Sequence, residues 1–210
     1  MTKLLKDMIA YDISQSVDNL ALPFVEPAFN GNVAAALSLI HKLPDFQRGQ
    51  VAVAMWKAKV EPAAFRAFLA GVWEHDHGRL IAAATTRRQL AAMFCHAAFP
   101  IPKEFPERVK IWRGTCNISL SKGKSGFSWT TNRDVACWFA LRYDNLRPQV
   151  ISADIAKSQI SYITNNRHES EVVLMRPPAL ANHDENPENW QLGFEKHQKT
   201  IKKLNAQVCE

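Results

Sequence analysis

Three prolines within seven residues, Pro100, Pro102 and Pro106, divide this chain into two stretches of different hydrophobic periodicity. Proline fixes φ and removes a backbone donor, so neither a helix nor a central strand runs through such a stretch. Before it, apolar residues recur at helical spacing. Leu5, Met8, Ile9, Ile13, Val17 and Leu20 mark a first helix within 1–20. Pro23, Pro27, Asn30 and Gly31 are expected to break the pattern. Asn32 is placed to cap a second helix, Val33–Lys42, and Asp45 to cap a third over 46–58. Pro62 suits the first turn of a fourth running to about His75, and Gly78 separates it from a fifth over 79–99. The stripe Phe65, Phe68, Leu69, Val72 reads as core.

After the prolines, short β-branched or aromatic runs take over, at 108–112, 126–130, 149–154 and 169–176, bounded by Gly, Asn or Pro. One helix interrupts them over 132–143, with Val135, Ala136, Phe139 and Ala140 on one face. A polar turn follows over 182–189, then an amphipathic tail over 194–208. The expected fold class is α+β, with a helical subdomain over 1–102 and a strand-based domain over 103–210.

Composition narrows the function classes. With 47% apolar and 22% charged residues among 210, the chain can bury a core without a metal or disulfide staple. Cys95, Cys116, Cys137 and Cys209 form no C-x-x-C pair and read as free thiols. The start of the chain has no long apolar run behind basic residues, and no window reaches 18 apolar residues, so a cytoplasmic protein without a membrane span is expected. The net charge of +6 is spread along the chain, with no basic tail. Lys103, Arg108, Lys110, Lys122 and Lys124 make a mildly basic neighbourhood suited to an anionic cofactor or target. In Trp73-Glu74-His75-Asp76-His77, positions i and i+2 of a helix face apart, so no metal site is expected.

Three segments of the second half carry chemistry. Val109-Lys110-Ile111-Trp112-Arg113-Gly114 is a strand ending in arginine and glycine. Gly126-Phe127-Ser128-Trp129-Thr130-Thr131 is a hydroxyl-bearing strand leading straight into a helix. Arg167-His168-Glu169-Ser170-Glu171-Val172-Val173-Leu174 brings two glutamates into an apolar strand. Each is ordinary alone; their conjunction in this order is not.

This set resembles the Arg-Ser-Glu signature of mono-ADP-ribosyltransferases of the cholera-toxin and clostridial-toxin class. The wording is similar to small transferases of phages and bacteria, including ADP-ribosylating anti-CRISPR proteins. The resemblance covers about 107–178 and implies a core of two small perpendicular sheets with NAD, consumed as a substrate, in the cleft between them. It implies catalytic Glu171, Glu169 and Ser128, and binding residues Arg113, Gly114, Ser128, Trp129 and Thr130.

The roles it implies are physically coherent. Arg113 offers a fork of donors to the pyrophosphate. Gly114 lets the backbone approach the cofactor. Ser128 holds a glutamate in one rotamer, and Thr130 shares its face. Glu171 stabilises positive charge at the ribose C1′ as nicotinamide leaves. Glu169 orients or deprotonates the acceptor, its pKa raised by the neighbouring carboxylate.

Two departures matter. Ser-Trp-Thr replaces Ser-Thr-Ser, and alternation turns Trp129 away from Ser128 toward the core. The loop 164–168 lacks the aromatic residue often used to recognise the target. The acceptor therefore stays open: a protein arginine by default, an asparagine or a nucleic acid otherwise, on an unidentified host macromolecule. His168 reads as a solvated loop residue. The rival expectations are plain NAD hydrolysis and a catalytically silent inhibitor that docks on a nucleic-acid machine.

Overall fold

The structure is a computed structural model that describes residues 3–143, 147–184 and 188–208. The chain forms two compact units, Met1–Pro100 and Ile101–Glu210.

The first unit is helical: α1 Lys3–Ser16, α2 Leu22–Phe29, α3 Val33–Lys42, α4 Asp45–Lys57, α5 Pro62–Ala84 and α6 Arg87–Ala97. Asn32 caps α3 as its side chain accepts from the Ala35 amide at 2.9 Å. The core stripe Phe65, Phe68, Leu69 and Val72 is fully buried, and Trp73 packs edge-on against Phe94 at 5.1 Å.

Two punctuation readings are corrected. Pro23 and Pro27 lie inside α2. Pro23 sits in the first turn, where no amide partner exists, and Pro27 gives up only one backbone bond in an eight-residue helix. Gly78 does not end α5. The helix kinks at Asp76 (φ −137°, ψ 33°), whose carboxylate pairs with Arg48 at 2.6 Å. The break comes at Thr85 and Thr86, where Thr86 caps α6 by accepting from the Gln89 amide at 3.1 Å.

The second unit contains β1 Arg108–Cys116, α7 Leu120–Lys124, β2 Ser128–Thr130, α8 Arg133–Leu141, β3 Pro148–Ala156, β4 Tyr162–Thr164, β5 Glu171–Val173, β6 Asn182–His183 and α9 Glu188–Val208. The α+β class holds. Helix α7 and strands β4 and β6 were not expected, β6 falling within the expected turn, and the tail helix starts earlier, at Glu188. Residues 185–187 of the expected turn, and Cys209, lie outside the described residues.

The six strands form one hydrogen-bonded sheet in the order β4-β5-β2-β1-β3-β6, with antiparallel pairs, where two separate sheets were expected. Its halves, β4-β5-β2 and β1-β3-β6, meet at the single registered pair Trp112↔Thr130. The long β1–β3 ladder runs from Arg108↔Ala156 to Cys116↔Pro148.

Residues directly opposite one another share a face of a pleated sheet. One row therefore crosses all six strands: Thr164, Glu171, Thr130, Trp112, Ser152, Asn182. The opposite face is apolar. Ile111, Trp129, Ile151, Ala153, Ile155 and Val172 form one core there, with Ile163 and Phe105 packed against it. A second core, Ala136, Cys137, Ala140, Val150 and Trp190 with Trp112 alongside, joins α8 and α9 to the β1–β3 half. Among the described residues no helix is long and apolar enough to cross a membrane.

Candidate active site

The polar end of the row is built by strand pairing. Strand β5 lies between β2 and β4, which sets Glu171 between Thr130 and Thr164. All three are buried, Glu171 to 3% exposure. A carboxylate so deep is costly unless it is paired or hydrogen-bonded. Arg167, four residues back, supplies a partner: its Nη2 lies 3.3 Å from Glu171 Oε2. The same nitrogen lies 2.8 Å from Glu169 Oε2.

Glu169 is not in the strand, which starts at Glu171. It sits in a bend whose neighbours His168 and Ser170 hold positive φ (57° and 46°). The Ser170 amide donates to Asn165 Oδ1 at 2.9 Å, the His168 amide to the Asn165 carbonyl at 2.8 Å, and Thr130 Oγ1 to the Glu169 carbonyl at 2.6 Å. These bonds tie the loop to itself and to β2, so both carboxylates reach one guanidinium without sharing a strand. Burial raises the Glu169 pKa most and the Glu171 charge raises it further, while Arg167 and Arg142 oppose them. The upward direction matches expectation, but desolvation leads rather than carboxylate repulsion.

Arg113 is also brought near. Alternation puts it on the side of Ile111, yet its guanidinium lies over Gly126, where a Cβ would collide with it. Its Nη1 donates to the Ser128 carbonyl, and its Nε is buried without a hydrogen-bond partner. Desolvation lowers the Arg113 pKa, and Glu171 acts against that. A buried guanidinium electrostatically coupled to a carboxylate pairs a fixed positive charge with a fixed negative one in the same part of the domain.

Three expected roles change. Ser128 stands opposite Val173, not Glu171, and its engaged group is the carbonyl that Arg113 caps. The hydroxyl residues beside Glu171 are Thr130 and Thr164. Gly114 is engaged in packing: a Cβ there would meet the Ala136 carbonyl and, at 2.7 Å, the Ala140 amide nitrogen. Its bare backbone seats α8 on β1. Trp129 is 2% exposed in the apolar core, and its Nε1 donates to the Gly126 carbonyl at 3.1 Å. It belongs to the core, not to the binding set.

Arg167 and Arg142 were missed as site residues. The signal for Arg167 was present in Arg-His-Glu-Ser-Glu, with an arginine two and four residues before the carboxylates. Arg142 is stacked on Trp138, Phe139 and Tyr143 at 5.2, 4.6 and 4.9 Å. Its signal is weaker, because only tertiary packing brings the end of α8 toward Glu169.

In the first unit, Asp76 is committed to Arg48 and His77 stacks on Trp73 at 5.7 Å. Among the described residues no group of three His, Cys, Asp or Glu side chains is placed to hold a metal ion. Compared with known proteins, the chain matches no family model, no curated protein and no solved structure.

Proposed function

We propose that the chain is a mono-ADP-ribosyltransferase, cleaving the nicotinamide–ribose bond of NAD and passing ADP-ribose to a macromolecular acceptor. One observation carries the reading. Two carboxylates, one in the loop and one opening β5, converge on a single guanidinium nitrogen of Arg167, with the buried Arg113 guanidinium electrostatically coupled to Glu171. An acceptor guanidinium and a developing ribose cation need such a pair of carboxylates.

Glu171, paired on both sides between β2 and β4, suits a charge that must hold its place while C1′ turns positive. Glu169, in the loop and with a raised pKa, suits accepting a proton from the incoming nucleophile. Arg113, a buried cation electrostatically coupled to Glu171, suits the negative charge of the pyrophosphate. Water in place of an acceptor gives NAD hydrolysis by the same residues. An arginine side chain is the acceptor class that the Arg167 contacts favour, since they hold a guanidinium in that place.

The test is incubation with NAD labelled on the adenosine, with and without bacterial lysate. Nicotinamide release with label on lysate macromolecules supports transfer. Release with label only on free ADP-ribose supports hydrolysis. No release at any NAD concentration leaves a binding-only protein.

A further inference from the structure

Helix α9 spends one side on packing and leaves the other charged. Trp190 and His197 are buried, and the His197 ring meets Trp138 of α8 edge-on at 5.6 Å. At Gly193 a Cβ would stand 2.9 Å from Asp134 Oδ1 and 3.0 Å from Cys137 Sγ. The helical repeat sets Lys199, Lys202 and Lys203 on the side away from these contacts, with Lys196 at its edge. All four are exposed, and no acidic residue occurs over 196–208. Glu195, on the same side, accepts from Gln191 Nε2 at 3.1 Å. The lysines form no run in the sequence; the helix winds them into a row.

That row costs the helix. Lys196 and Lys199, Lys199 and Lys202, and Lys199 and Lys203 are like-charge neighbours three or four residues apart, which destabilises a helix. None lies in the last turn, where the macrodipole would favour a cation. A polyanion laid along the row offsets the repulsion. From Lys196 to Lys203 the helix rises about 10 Å, the span of about three successive phosphates on one strand of a DNA duplex. A lipid surface fits less well, because an interfacial helix gives its apolar side to the membrane and α9 has that side on α8. A single strand fits less well too, because its bases stack on aromatic side chains, and the exposed, described residues of α9 include none. We propose that the lysine side of α9 docks on the phosphate backbone of double-stranded DNA. The inference goes beyond the transferase reading and does not rest on it.

The experiment is fluorescence anisotropy of a labelled DNA duplex titrated with the full chain over a series of salt concentrations. The expected result is a slope of log affinity against log salt of about −3, the value for roughly three neutralised phosphates, with duplexes of unrelated sequence bound alike. Lys199→Gln combined with Lys203→Gln should make the slope shallower by about 2, with the circular dichroism spectrum unchanged. Lys42→Gln combined with Lys57→Gln removes the same charge from exposed positions of the helical unit and should leave the slope as it is. An equal loss in both double variants marks diffuse attraction by the net charge and overturns the assignment to α9. So does a duplex that stays unbound at low salt, or a slope that Lys199→Gln with Lys203→Gln does not change. Tighter binding to a single strand, or to phosphatidylserine vesicles, than to the duplex overturns the choice of partner. Nicotinamide release enters none of these readouts, so their failure leaves the transferase reading standing.

Discussion

The two halves of the sheet use the same face in opposite ways. In the β1-β3-β6 half, Trp112 and Val150 lie in an apolar layer with Ala136, Cys137 and Ala140 of α8, and Gly114 lets the helix sit directly on the strand. In the β4-β5-β2 half, the same row carries Thr130, Glu171 and Thr164, buried but polar. Packing alone explains the first half. It gives no reason for a carboxylate at 3% exposure in the second, where an apolar residue would bury at lower cost. A local violation of core rules inside an otherwise consistent domain is where function is expected.

Substitutions on either side of the seam sharpen that contrast. The largest effect is expected at Gly114→Val. Its Cβ meets helix backbone, which cannot step aside as a flexible side chain would. The loss should reach or exceed the ~3 kcal/mol upper end of overpacking, read as a lowered thermal midpoint by circular dichroism. A midpoint within a degree of wild type would mean that α8 is not seated on β1.

On the polar side, Glu169→Gln should cut transfer to an external acceptor by about 100-fold, at the low end of general-base contributions. Nicotinamide release should fall far less. Its pH profile should change as well. The Glu169 pKa lies above the ordinary carboxylate range, so wild-type transfer should fall as pH drops through that raised value, because the base takes up its proton. The variant should lack this acid limb. Stability runs the other way: the protonated form suits the buried site, so the contribution of Glu169 is present below the ordinary carboxylate range and lost as pH rises through the raised value.

Arg113→Lys keeps the charge but loses the fork and its Nε. NAD binding should weaken by about tenfold, ~1.4 kcal/mol, in calorimetry, with the fold retained. The smallest effect concerns the covered half. Burial pushes the Cys137 thiol to about 11, so at pH 8 alkylating reagents should label exposed Cys95 and leave Cys137 intact.

The parts of this organisation that are local were legible in the sequence. Asn32 signals a helix start through a bond to the amide three residues on, and the Arg113, Ser128 and Glu171 segments stand out by order alone. What was not legible depends on distant partners. The kink falls at Asp76, the residue that pairs with Arg48, 28 residues earlier, while Gly78 two residues on stays helical. Strand β4 is three residues long and shows its character only when paired with β5. Gly114 reads as a ligand-approach glycine until α8 is seen resting on it. The register that sets Thr130, not Ser128, beside Glu171 is a property of the β2–β5 pairing, and a shift by two residues would have given the expected partner.

The most direct measurement of the central claim is single-turnover nicotinamide release by Glu171→Gln beside wild type, with NAD affinity measured separately. The glutamine keeps the shape and loses the charge that matters as C1′ turns positive. Release should fall by about 10²–10³-fold, with the dissociation constant for NAD within a few-fold of wild type. Release at the wild-type rate would contradict the assignment of Glu171, and with it the meaning given to the polar half of the sheet.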